Sequence, residues 1–205
     1  MKRHHAHHRH LPPEPRAYHD STFKCDAVKI MPSEYYVTSR DMVIVTVLGS
    51  CISACIRDPV SGIGGMNHFM LPGKDGDDIT SASARYGGYA MEILINQIQK
   101  LGGRRDNLEA KLFGGAVALP GLATHSVGEM NAEFALHYLD AEGIPVVAHD
   151  LLGFHPRKVY FFPKSGRVMV RVLKTIHNNT ILEREQAYEQ RLRRTPIEGD
   201  VELFS

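Results

Sequence analysis

The chain has 205 residues, of which 43% are hydrophobic and 23% charged, and a formal net charge of +1. That length allows one domain with a real core, and the near-neutral balance gives no broad electrostatic case for nucleic acid. No apolar run approaches a membrane span, no signal core follows the basic N-terminus, and three cysteines do not make a disulfide scaffold; the expectation is a cytoplasmic protein without membrane insertion.

The opening MKRHHAHHRHLPPEPR carries His4, His5, His7, His8 and His10 and then three prolines. It lacks apolar residues to pack, so residues 1–22 read as a disordered, solvated tail. His-rich composition alone fixes no metal geometry. KCDAVKIM (24–31) and DMVIVTVL (41–48) are rich in β-branched residues and read as strands. CISACIRD and GIGGMNHFML flank Asp58-Pro59-Val60-Ser61-Gly62, a turn-forming set, and read as a hairpin. After the polar LPGKDGDD the period changes. Tyr86, Tyr89, Ala90, Ile93, Leu94, Ile98 and Leu101 recur at helical spacing, and Gly102-Gly103 stops the run.

EAKLFGGAVAL follows as a strand entering a Gly-Gly turn. A second helix is predicted over about 131–142, with Phe134, Ala135, Tyr138 and Leu139 on one face and Gly143 after it. IPVVAHD reads as a strand, and KVYFFPKSGRVMVRVL as a hairpin turning at Pro163 to Gly166. Residues 177–205 are charged and weakly amphipathic, a peripheral helix and tail. The folded domain is therefore placed at residues 23–176. Two core-facing helices with hairpin-connected strands predict a single-domain α/β fold with a mostly antiparallel sheet.

The hairpin brings chemistry together. Facing residues in an antiparallel pair have position numbers of constant sum, about 119–120 if the turn centres on Pro59 or Val60. Cys51 then faces His68 or Phe69, with facing Cβ atoms about 4.5–5.5 Å apart. A cysteine paired with histidine loses its proton several units below its free pKa of about 8.5. Cys51 also follows Leu48-Gly49-Ser50, a glycine bend whose N–H groups can face an oxyanion. Cys55 lies on the same strand face but about 13 Å away, too far for a disulfide. Cys25 and Cys55 read as small buried hydrophobes. The blander reading of Cys51 and His68 is the same: core residues in a strand pair. No paired CxxC, HExxH, P-loop or strand-borne GxGxxG is present, so neither a metal nor a cofactor is called for.

LGSC, GGMNHFMLP, RYG followed by AMEILIN, KLFGGA, FALHYLDAEGIPVVAHD and PRKVYFFPKSGRV occur in that order across roughly residues 24–175. In these blocks the chain resembles the bacterial chemoreceptor glutamine deamidases called CheD. The resemblance implies that residues 23–176 form a deamidase domain, a layered α/β sandwich related to bacterial toxin deamidases. It implies Cys51 as nucleophile, His68 as general base and acid, and Thr46 as the residue orienting the histidine. Gly49, Ser50 and Asn67 are the candidates for holding the substrate amide. No cofactor is implied. The implied substrate is a glutamine on the cytoplasmic helices of methyl-accepting chemotaxis receptors, which calls for an open groove around Cys51. A CheC-type phosphatase is a candidate partner, since some family members bind one. The chain departs from the family's usual pattern at Gly88, Met130 and Leu152. Two other classes fit the residues alone. A different thiol amide hydrolase would cleave backbone or accept amines, and a non-catalytic binding module would need neither Cys51 nor His68.

Overall fold

The computed structural model describes residues 17–71, 79–116 and 127–174, and Glu183, Glu185, Ala187, Tyr188 and Gln190 further on. The strands are β1 (Ala17–Asp20), β2 (Cys25–Lys29), β3 (Tyr35–Thr38), β4 (Val43–Leu48), β5 (Ile52–Asp58), β6 (Ile63–Asn67), β7 (Glu109–Gly114), β8 (Val146–Leu151), β9 (Arg157–Phe162) and β10 (Arg167–Val172). The helices are α1 (Ile79–Lys100) and α2 (Val127–Ala141).

The strands form two five-stranded sheets, β1-β2-β4-β9-β10 and β3-β6-β5-β7-β8. Only β2 with β4 and β7 with β8 run parallel among the described pairs. The α/β class and antiparallel bias expected from the sequence therefore hold, but with two sheets where one was expected. Alternation along single strands explains the layering. In β4, Ile44 and Leu48 face the second sheet, while Val43 and Val45 pack outward with Ala27 and Phe162. Cys51, just before β5, and Cys55 within it face the first sheet, while Ile52, Ala54 and Ile56 meet the helices. A strand buried on both faces shows no polar alternation, which is why apolar residues stand on both faces of β5.

Both helices end in the same chemistry. Gly102 N–H bonds to Gln99 C=O and Gly103 N–H to Ile98 C=O; Gly143 and Ile144 repeat the pattern onto Asp140 and Leu139. Gly102 and Gly143 hold positive φ, the left-handed stop that these glycines permit. α2 begins at Val127, earlier than the periodicity predicted. The disordered tail expected over 1–22 is corrected at its end. Ala17–Asp20 is an edge strand paired with β2, and residues 1–16 lie outside the described residues. β3 was also missed by the strand signals; it pairs with β6. Among the described residues no helix is long and apolar enough to cross a membrane.

Candidate active site

The β5–β6 hairpin closes on Asp58 facing Ile63, so its loop is Pro59 to Gly62. Asp58 builds that loop. Its Oδ1 accepts Val60 and Ser61 N–H at 2.8 and 3.3 Å, and its Oδ2 accepts Arg104 N–H at 3.0 Å. Burial works to raise its pKa, but these N–H donors win and hold it at about 2. The loop sets the register: Cys55 faces Met66, and Ile52 faces Phe69. The expected register is thus corrected. Extending it places Cys51 opposite Met70 and His68 opposite Ser53. Cys51 and His68 still share a face, but as diagonal neighbours, typically about 7–8 Å apart.

That shared face looks across the sandwich to β4, where Thr46 points inward like Ile44 and Leu48. Thr46 Oγ1 lies 2.8 Å from His68 Nδ1 and donates to Ile30 C=O at 3.0 Å. A hydroxyl has one proton, and here Ile30 takes it. Thr46 therefore accepts from Nδ1–H, and the imidazole's lone pair is left on Nε2. Among the described residues Nε2 is buried without a hydrogen-bond partner. The main chain of His68 is pinned as well, since its N–H bonds to Glu34 C=O and its C=O accepts Ser33 N–H. Burial drives its pKa down to about 3, so the ring is neutral.

The bend Gly49–Cys51 carries the chain from the first sheet into the second. Its carbonyls are all engaged from behind: Gly49 by Ala116 N–H, Ser50 by Asn131 Nδ2, and Cys51 by Gly115 N–H. Gly114 makes the last approach possible. With φ of +114°, it would place a Cβ 2.1 Å from the Cys51 carbonyl oxygen if it had one. With the carbonyls turned back, successive N–H groups face forward as an anion-binding nest.

The nest is filled by a residue the sequence reading placed on the periphery. The Glu185 carboxylate accepts Gly49 N–H at 2.9 Å, Ser50 N–H at 3.0 Å, Ser50 Oγ–H at 2.8 Å and Cys51 N–H at 3.4 Å. Tyr188, on the same helical segment, accepts from Ser33 Oγ at 2.7 Å and meets the Tyr86 hydroxyl. Both side chains are buried, which corrects the peripheral assignment of residues 177–205 at these two positions. A cavity of about 30 Å³, water-sized by common measures, adjoins His68 and Glu185, with Lys29, Ile30, Met31, Pro32 and Val47 as its other walls.

Three site expectations are corrected. The groove around Cys51 is not open, because Cys51 is 0% and His68 3% exposed. The thiol pKa is not lowered; burial first, and then the Glu185 charge, push it well above the ordinary range. Asn67 does not hold a substrate amide. It lies on the other face of β6, where Oδ1 accepts Ala54 N–H and Nδ2 donates to Ala90 C=O, fastening the strand to α1. Thr46, His68, Gly49, Ser50 and Cys51 do converge. Glu185, Asn131 and Ser33 were missed, and only the polarity of Asn131 on the inner face of α2 could have signalled one of them.

The architecture defines a class, an α/β sandwich with Cys51, His68 and Thr46 on the inner faces of its two sheets. The chain belongs to the CheD family: the family profile described as CheD chemotactic sensory transduction matches residues 70–172. It is 59% identical to the probable chemoreceptor glutamine deamidase CheD of Herminiimonas arsenicoxydans, over 92% of this chain and 94% of that protein. A protein of the same name from Janthinobacterium sp. (strain Marseille) is 60% identical over the same shares. The probable chemoreceptor glutamine deamidase CheD 1 of Shewanella oneidensis is 55% identical over 93% and 94%.

Proposed function

We propose that this chain is a chemoreceptor glutamine deamidase that hydrolyses glutamine side-chain amides through a thioester on Cys51. The observation that carries the reading is a histidine of fixed tautomer whose Nε2 has no partner among the described residues, on the same strand-pair face as a cysteine whose own N–H belongs to an anion nest. The names of the relatives supply the substrate class.

In this reading His68 Nε2 takes the Cys51 proton, and the thiolate attacks the carboxamide carbon. The Gly49, Ser50 and Cys51 N–H groups stabilise the tetrahedral oxyanion; one such donor is typically worth about 3 kcal/mol. Protonated His68 gives its proton to the amide nitrogen, the C–N bond breaks and ammonia leaves. Water then enters, His68 takes its proton, and hydroxide attacks the thioester. The C–S bond breaks, the sulfur regains the proton, and glutamate is released. Thr46 keeps Nδ1 protonated throughout, so that Nε2 is always the atom that exchanges. The reaction runs without a cofactor, in the cytoplasm, on the cytoplasmic helices of chemotaxis receptors. A CheC-type phosphatase is the candidate regulatory partner.

The test is incubation of the purified protein with receptor cytoplasmic fragments, followed by peptide mass analysis. The expected product is side-chain glutamate in an uncut backbone. Backbone cleavage, amine incorporation, or binding without chemical change would each replace the reading with a protease, a transglutaminase or a binding module.

A further inference from the structure

The site as built cannot meet an amide on another protein. Cys51 and His68 are covered, and the N–H nest is already satisfied. What satisfies it has a specific chemical identity. Glu185 is a glutamate, the product side chain of glutamine hydrolysis, with the same number of carbons between backbone and carboxyl group as the substrate. The fit is close at Gly49, where a Cβ would stand only 2.7 Å from the carboxylate. A second anchor lies one helical turn on, on the same face. There Tyr188 engages Ser33, the residue whose N–H holds the His68 carbonyl.

We propose that Glu185 is an intramolecular product mimic: held by Tyr188, it fills the carboxamide subsite and must be displaced by the substrate helix before Cys51 can react. The proposal rests on the deamidase reading for what the subsite accepts. Displacement does more than clear space. It removes a negative charge from beside the sulfur and lets water or substrate reach it, so the thiol becomes easier to ionise as the site opens. Because the occupant is tethered, it competes at high effective concentration. Isolated glutamine or a short peptide is then a poor substrate, whereas a receptor helix that also replaces the Tyr188 contact is a good one. In the same proposal a substrate helix places its glutamine at the Glu185 position and its next turn over Ser33.

The test compares the full chain with Glu185→Ala and Glu185→Gln. Brief iodoacetamide treatment near neutral pH is followed by peptide mapping. Cys51 in the Ala variant is expected to label at least about tenfold faster than in the parent, matching a site closed at least about nine times in ten. Cys55, buried elsewhere in the core, serves as the internal standard and should stay protected. The Glu185→Gln variant places a carboxamide in the nest. It should hydrolyse that introduced amide back to the parent glutamate at a rate independent of protein concentration, and Cys51→Ser in the same chain should stop it. If the Ala variant exposes Cys55 as well, its fold is lost and the Gln variant alone decides. Unchanged Cys51 labelling with Cys55 protected would overturn the plug. Faster labelling without hydrolysis of the introduced amide or of receptor amides would leave the plug standing and sink the deamidase reading. Loss of receptor deamidation in the Ala variant, with Cys51 labelling unchanged, would make Glu185 a participant in the chemistry and end the proposal.

Discussion

Thr46 has two jobs for one oxygen, accepting from His68 and donating to Ile30 C=O, and alanine removes both at once. Thr46→Ala leaves Nδ1–H buried without an acceptor, a loss of about 1–3 kcal/mol, and lets the ring choose the wrong tautomer. The expected result is a roughly 10- to 100-fold fall in kcat. Thr46→Ser keeps the oxygen and should restore most of it, which a purely packing role would not predict. His68 gives a pH signature. Its pKa falls from 6.5 to about 3 on folding, so below pH 6.5 the unfolded chain binds the proton and the folded chain does not. Stability contributed by the neutral ring is complete above 6.5 and lost as pH falls toward 3, by about 1.4 kcal/mol per unit and about 2 kcal/mol by pH 5. Urea unfolding of the parent and of His68→Gln at pH 7, 6 and 5 checks this; the difference between them should shrink as pH falls. The carboxylate window of Asp58, between 3.8 and about 2, lies below that range and does not confuse it.

At the scale of elements, two adjacent glycines of α1 separate packing from propensity. A Cβ on Gly87 would meet Phe134 of α2 at 2.4 Å and Leu71 at 2.7 Å, whereas Gly88 has only Tyr138, at 4.0 Å. Gly87→Ala should therefore destabilise by about 1–3 kcal/mol through overpacking. Gly88→Ala should stabilise by up to about 1 kcal/mol through helix propensity. Thermal melts of the two variants should move in opposite directions. Leu152, which departs from the family's usual glycine, sits at φ +64°. That region costs a side-chain-bearing residue about 1–2 kcal/mol, and glycine's extra unfolded-state entropy returns about 0.5–1. Leu152 is more than a third exposed, so little burial is lost. Leu152→Gly should raise the melting temperature slightly, and a clear fall would show that its side chain packs against something that matters.

The whole molecule shows where sequence reading stops. Most strands and the two core-facing helices were legible because β-branched runs, helical spacing and glycine stops are local signals; β1 and β3, each of four residues, were not. The convergence of Cys51 and His68 was legible because both lie in one hairpin. The exact register was not. It depends on how many residues Asp58 recruits into its loop, and the loop centre moved toward Ser61. The division into two sheets was not legible either, since the glycine bend before Cys51 signals a turn but not that the chain changes sheets there. Asn67 looked like a site residue by its nearness to His68, but a strand sends neighbours to opposite faces. Glu185 was hidden because its contact spans more than a hundred residues and its surroundings are charged, which reads as surface. Thr46 came from the family resemblance alone; its contact with His68 is visible only where the two sheets meet.

The central claim is that Cys51, and no other thiol, is the nucleophile. The direct measurement is amide-to-acid conversion in receptor fragments by the folded parent, Cys51→Ser and Cys55→Ala at equal concentration. Cys51→Ser should lose at least about a thousandfold in rate, and adding His68→Gln should make it little worse, because the two act as one unit. Cys55→Ala should keep near-parent activity at some cost in stability. If Cys51→Ser still deamidates while Cys55→Ala does not, the nucleophile is Cys55 and the site built here is wrong.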